Sequence, residues 1–433
     1  MSKEENRKNF SKYVSQNILG MIGFSCYVLA DSYFISIAKG ADGLTALNLV
    51  MPLYSIIFSI GEMIGVGSAI RYAISKIKKD ADADDYFWNA LIWCIMSSMI
   101  FVFAGIFFSA DIMRVLGADE HIVAVGNNYT KIFMCFAPMF MCNYVTNAFV
   151  RNDGAPGIAM SATLFSSLFN IVFDYILMFP MNLGMEGAAL ATALSPIIGM
   201  GICSIHFFSK KSSVRLVVCK PSVRKLVAGC QLGISAFVGE MSSAVITLAF
   251  NFVILKLAGN VGVAAYGVVA NIAIVTTAVF NGVAQGSQPL ISSCFGRGDK
   301  DGCTQLKRMG YTTAFVLAAV MYSILFIFAG QFVAVFNSEG SEMLRLYATE
   351  GVKLYFIGIF FAGINIVGGG AFSATEDAFK AAVVSVARGF VLILGAVFVM
   401  SALFGMTGVW LAFPAAELVT MVLSIAGLRK SLK

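Results

Sequence analysis

Apolar residues gather in runs of about twenty along this chain, separated by short stretches where Lys, Arg, Asp and Glu collect. A helix rises about 1.5 Å per residue, so a run of that length matches a hydrocarbon layer about 30 Å thick. Backbone groups cannot go unpaired in lipid, so each run is expected to be a helix. The pattern predicts twelve spans, at roughly 14–37, 44–70, 87–109, 128–149, 157–180, 186–208, 229–256, 262–291, 311–335, 351–372, 380–403 and 406–427. The fold class is therefore all-α and polytopic.

Composition sharpens this reading. Of 433 residues, 58% are hydrophobic and 12% charged, where a soluble domain has about half and a quarter. The net charge of +6 does not point to nucleic acid, because the basic residues form no face or aromatic-interleaved patch. They mark topology instead. Twenty-three of the thirty Lys and Arg fall in one set of loops, including Lys3, Arg7, Lys8, Lys12, the run 210–225, and Arg429, Lys430 and Lys433; Lys39, Arg114, Lys256 and Arg345 fall in the other. The positive-inside rule then puts both termini in the cytoplasm, consistent with an even number of spans. Residues 1–12 are polar, and the first apolar run continues into a full span without a small-residue cleavage site, so no signal peptide is expected.

The basic stretch 210–228 divides the chain into a first lobe, residues 1–209, and a second, residues 229–433. The halves resemble each other. Gly184-Met185-Glu186-Gly187-Ala188-Ala189-Leu190-Ala191 leads into span 6, and Gly405-Met406-Thr407-Gly408-Val409-Trp410-Leu411-Ala412 into span 12. Residues 43–68 pair without a gap with 262–287, and Ala148-Phe149 with Ala371-Phe372. Repeats of six spans enter from the same side and are related by an axis along the membrane normal; such halves enclose a substrate site at their interface.

Candidate chemistry lies in the acidic residues inside spans, where a carboxylate is costly and faces a cavity or a partner. Asp31 in span 1 and Asp174 in span 5 fall at similar depth toward the outer side, with Asn170 one turn before Asp174 and Thr192 in span 6 at the same level. Two carboxylates close together in a low-dielectric chamber cannot both stay charged cheaply, so this group is expected to take a proton or a small hard cation, H⁺ or Na⁺. Glu240 in span 7 and Glu417 in span 12 lie near mid-membrane and are expected to meet a cationic substrate; Glu62, Gln288 and Asn251 are further candidates for the cavity wall. Glu350 and Lys353 read as an interfacial pair three residues apart. The nine Cys read as small buried hydrophobes, and with only His121 and His206 present a histidine metal site or catalytic triad is not expected. Met and aromatic side chains suit varied apolar cations.

The ordered set Ala30-Asp31-Ser32-Tyr33-Phe34-Ile35, Ile64-Gly65-Val66-Gly67-Ser68, Arg151-Asn152-Asp153-Gly154-Ala155-Pro156, Asn170-Ile171-Val172-Phe173-Asp174, Gly187-Ala188-Ala189-Leu190-Ala191-Thr192, Gly286-Ser287-Gln288-Pro289-Leu290 and Gly405-Met406-Thr407-Gly408-Val409-Trp410 resembles the MATE (multidrug and toxic compound extrusion) family, in its prokaryotic DinF-like and MepA-like kind. The resemblance implies two six-helix lobes around a V-shaped cavity in a prokaryotic plasma membrane. It also implies a first-lobe cation site at Asp31, Asn170, Asp174 and Thr192, and antiport of amphipathic organic cations against H⁺ or Na⁺. No cofactor, nucleic acid or obligate protein partner is implied. The chain departs from many relatives in lacking a proline before Asp31; Ser15-Gln16-Asn17 stands there, with Gly20 and Gly23 able to permit a kink. A lipid-linked saccharide flippase of the same superfamily is the alternative, disfavoured because the spans hold almost no Lys or Arg beyond Arg388 near the start of span 11. An integral-membrane enzyme is a more distant one, since H-E-x-x-H and G-x-S-x-G are absent.

Overall fold

The computed structural model describes residues 3–336 and 341–431. Lys433 lies outside the described residues, as do the side chains of Arg429 and Lys430. The described chain is nearly all helix. Twelve membrane-crossing helices follow one another: α1 (Lys3–Gly40), α2 (Asp42–Lys78), α3 (Asp85–Val115), α4 (Glu120–Cys135 continued by Ala137–Asn152), α5 (Pro156–Met178), α6 (Gly184–Phe207), α7 (223–258), α8 (260–296), α9 (Lys300–Ile327 continued by Ala329–Phe336), α10 (Glu342–Ala374), α11 (378–404) and α12 (406–425). α4 bends by 46° where Pro138 enters the helix without an N–H to donate.

Three apolar runs reverse direction with almost no loop, at Gly40, Gly259 and Gly405, whose φ values are 58°, 62° and 59°. No atom lies within 4 Å of a Cβ added at any of the three, so left-handed backbone rather than crowding calls for glycine. These turns carry the repeat into three dimensions. Gly40 corresponds to Gly259 and Lys79 to Gly298 at one offset along the chain, Gly184 to Gly405 and Gly154 to Glu376 at nearly the same one, and all eight have positive φ. Gly405→Ala is expected to lower stability by about 1–2 kcal/mol. Gly395→Ala, on an exposed face with ordinary φ and open space, is expected to be neutral or mildly stabilising. Thermal unfolding of the detergent-solubilised protein checks the pair.

Buried apolar side chains form two main clusters. One joins α1 to α6, and the other joins α7 to α12. The clusters exchange members at one end of the molecule: Phe10 and Val14 of α1 belong to the second, and Leu232 of α7 to the first. At that end the lobes touch backbone to backbone. A Cβ on Gly67 would lie 2.0 Å from the Gly229 carbonyl oxygen, and one on Gly233 2.0 Å from that of Met63. In the matching positions of the repeat, Gly282 and Gly286 of α8 press on Ile18 and Val14 of α1, with added Cβ atoms at 2.5 and 2.7 Å from their Cα atoms. This glycine seam lies on the side holding the N-terminus and most Lys and Arg, the basic face. Glu240 and Asn251, three turns apart on one side of α7 and farther from the seam, are half-buried.

Helix ends differ from the sequence expectation where capping and charge pairing extend them. α7 begins at Val223, inside the expected linker, because Ser222 accepts from the Lys225 N–H and Lys225 pairs with Asp85. The preceding segment is strapped to the first lobe. Buried Asp153 accepts from Tyr72 Oη (3.0 Å), His206 Nε2 (2.8 Å) and the Ser213 N–H (2.9 Å), and the Ser222 N–H donates to Asn89 Oδ1 at 2.7 Å.

Candidate functional site

Gly20 and Gly23 do not kink α1. The helix runs uninterrupted to Gly40, and the glycines let it lie against α5, where a Cβ on Gly23 would meet Leu164 Cδ2 at 2.4 Å and one on Gly20 the Met160 Cα at 3.7 Å. Both helices run in the same direction, and this register carries Asp31 level with Asp174. Their carboxyl groups come within hydrogen-bond reach of each other. Asn170 follows from helical spacing, and α6 supplies Thr192. The Asn170 amide is satisfied with Nδ2 donating to Asp174 Oδ2 (3.1 Å) and Oδ1 accepting from Thr192 Oγ1 (3.1 Å) and the Thr192 N–H (3.3 Å). The reversed orientation, which would donate to Thr192 Oγ1, sets an amide oxygen against a carboxyl oxygen and is the poorer one. Asp31 is 7% exposed, Thr192 2%, and Asn170 and Asp174 are fully buried. The structure thus brings all four sequence candidates together.

Below them α6 carries Pro196, which cannot donate to the Thr192 carbonyl. The Ser195 hydroxyl takes that place at 3.0 Å, and Ser166 Oγ of α5 donates to the Ser195 carbonyl at 2.7 Å. Tyr54 of α2 and Tyr129 of α4 bond hydroxyl to hydroxyl, and the charge of both carboxyls reaches them. Within the cluster, Oδ1 of Asp31 and Oδ1 of Asp174 are both buried without a protein donor. Two carboxyl groups at hydrogen-bond distance need a shared proton or a cation between them. Among the described residues no group of three His, Cys, Asp or Glu side chains could hold a metal ion; the donors here are two carboxyls, an amide and a hydroxyl, hard oxygens suited to H⁺ or Na⁺.

The cavity candidates separate. Glu240 reaches from α7 toward the first lobe, where its charge meets Glu62, Tyr144 and Tyr27. Asn251 shares its face of α7, three turns farther from the seam. Glu62 sits at the seam, accepting from Gln285 Nε2 at 3.2 Å, and Arg151 Nη1 donates to Gln285 Oε1 at 2.5 Å. Gln288 is buried one turn beyond, its Oε1 without a partner. Glu417 is not available to a substrate: Arg388 and Asn365 hold it inside the second lobe. Arg388 itself lies ten residues into α11, not near its start, on a π-helical turn at Ala387–Val391. Glu350 accepts from Thr407 Oγ1 at 2.7 Å, while Lys353 lies over the Phe326 ring, so the expected pair between them is replaced by contacts to neighbouring helices. Sequence reading missed Gln285 and the Arg71–Glu376 ion pair that bridges the lobes. The signal for Gln285 was an amide inside an apolar run; for Glu376 it was only a charged loop.

The family model MatE matches residues 17–176 and 236–400. The chain is 28% identical over 412 residues to the multidrug export protein MepA of Staphylococcus aureus, covering 92% of this chain and 88% of that protein. Among solved structures, a multidrug resistance MATE family transporter in an outward-facing conformation superposes with TM-score 0.92 at 20% identity, over 98% of this chain and 96% of that one. A transporter from Pyrococcus furiosus, described as having a binding pocket of reverse polarity, superposes with TM-score 0.91 at 20% identity over the same shares.

Proposed function

The chain belongs to the MatE family, a multi-pass protein of the bacterial cell membrane related to multidrug exporters, and from that premise we propose that it is a secondary antiporter. It exports amphipathic organic cations in exchange for H⁺ or Na⁺ and performs no covalent chemistry. The basic face is cytoplasmic, as are both termini, so the glycine seam closes the inner side and the cavity lined by Glu240 and Asn251 opens outward. In this state an ion arriving from outside reaches Asp31 and Asp174. The observation that carries the reading is the pair of buried carboxyls with two orphan oxygens, a site that is completed only by an added cation. With the Asn170 oxygen turned to Thr192, the present arrangement favours H⁺. Coupling requires that the ion and the substrate prefer different lobe arrangements, and it is reciprocal.

Purified protein in liposomes, with an imposed pH or Na⁺ gradient and a fluorescent organic cation inside, tests this. The expected result is accelerated release when the ion is concentrated outside; release indifferent to both gradients would refute antiport. The flippase reading requires a basic cavity for phosphate. Half-buried Glu240 instead offers a carboxyl there, and Arg151 is engaged by Gln285 at the seam, which supports the cationic substrate.

A further inference from the structure

The second lobe contains a buried charged triad that this cycle does not use. Glu417 of α12 is 2% exposed. Its Oε1 accepts from Arg388 Nε at 2.5 Å, and its Oε2 from Asn365 Nδ2 at 2.7 Å. Asn365 Oδ1 is buried with no protein partner. The π-helical turn in α11 shifts the register by a residue and aims Arg388 into the lobe, where its charge and that of Glu417 meet Tyr355 of α10.

The repeat gives this triad a counterpart. Across the repeat Ser166 falls on Arg388, and Asn143 and Ser195 fall within one residue of Asn365 and Glu417. In the first lobe the link is neutral: Ser166 donates to the Ser195 carbonyl, and Asn143 Oδ1 is again buried and unpartnered. Asn170 stands one turn beyond Ser166, and Thr192 one turn before Ser195, so the triad lies a single helical turn from the level at which the first lobe gathers its carboxyls. Each lobe therefore holds buried carboxylate and amide oxygens, on α1 and α5 in the first and on α12 and α10 in the second. The first leaves them without a fixed positive charge, and the second supplies one.

We infer that Glu417 and Asn365 form a second cation site of the same hard-oxygen chemistry, kept permanently filled by the Arg388 guanidinium. The inference rests on the reading of Asp31 and Asp174 as the exchangeable site. Its consequence is that one lobe alone exchanges ions, and that removing Arg388 while keeping Glu417 opens a second exchangeable site. Ser385 on α11, Tyr311 on α9, Tyr266 on α8, Tyr355 on α10, and Thr420 and Ser424 on α12 are polar groups about this region, and none of these carries a positive charge.

The test is cation uptake by the purified full chain, read with radioactive Na⁺ at alkaline pH and with a pH-indicator dye after a pH jump. D31N/D174N is expected to take up neither. Adding Arg388→Met restores a single cation per chain, adding Arg388→Lys restores none, and Glu417→Gln on top of Arg388→Met removes the restored uptake. Arg388→Gln serves in the same way if the methionine variant does not survive purification. Folded R388M and R388Q forms that bind no cation, or an R388K form that gains the same uptake, overturn the inference. If wild-type uptake survives D31N/D174N, the first-lobe reading fails, and the present inference is then judged by whether R388M adds a further cation that E417Q removes.

Discussion

Asp174→Asn is expected to cut gradient-driven efflux by about 5- to 150-fold, the span of a coupling free energy of about 1–3 kcal/mol, and Asp31→Asn to do the same. The carboxamide keeps the shape of the side chain but removes the charge that makes an arriving cation favourable. In Asp174→Asn the amide of Asn170, which donates to Asp174 Oδ2 at 3.1 Å, would still find an oxygen to bond, so packing among α1, α5 and α6 is expected to hold. The defect should therefore lie in coupling rather than in folding or substrate affinity. Release of a fluorescent organic cation from liposomes, measured beside its equilibrium binding, separates the two: binding near wild type with release no longer driven by the gradient is the expected pattern. Near-normal driven release by both variants would remove the mechanism.

The second large effect belongs to the seam. Gly233→Ala puts a carbon 2.0 Å from the Met63 carbonyl oxygen, and Gly67→Ala puts one 2.0 Å from that of Gly229. Both obstacles are backbone, so the lobes must part. Overpacking of this kind costs about 1–3 kcal/mol, and each 1.4 kcal/mol changes a population ratio about tenfold. The arrangement sealed on the basic face should lose population by about one to two orders of magnitude, and efflux should fall with it. Maleimide labelling of Asn251→Cys from outside, with the nine native cysteines replaced, reports how often the cavity opens that way. Reduced labelling in G67A and G233A, matched by G286A on the other side of the pseudo-symmetric seam, is the expected outcome. Unchanged labelling and transport would show that the close approach is incidental.

Much of this fold was legible in the sequence because lipid leaves few alternatives. Twenty-residue apolar runs must be helices, and the paired segments 43–68 and 262–287 announced the repeat that the turns at Gly40 and Gly259 display. Asp31 and Asp174 stood out because intramembrane carboxylates are costly, and Asn170 and Thr192 followed from helical spacing and shared depth. What escaped depends on how helices cross. Glu417 read as a cavity residue because nothing in a linear pattern says that a π-helical turn aims Arg388 at it. Gln285 and Gln288 are a turn apart and look alike in sequence; only the packing of α8 against α2 and α4 decides which one meets Glu62 and Arg151. Span ends were placed by hydropathy, whereas α7 begins where Ser222 caps it and Lys225 finds Asp85.

The strap before α7 fixes where movement can start. Ser213 is bound to Asp153 and Ser222 to Asn89, both on the first lobe, so no slack remains at the root of the second. On the antiport reading proposed above, that lobe is expected to pivot like a lever about the first turn of α7, with travel smallest beside this fulcrum and growing along the helix.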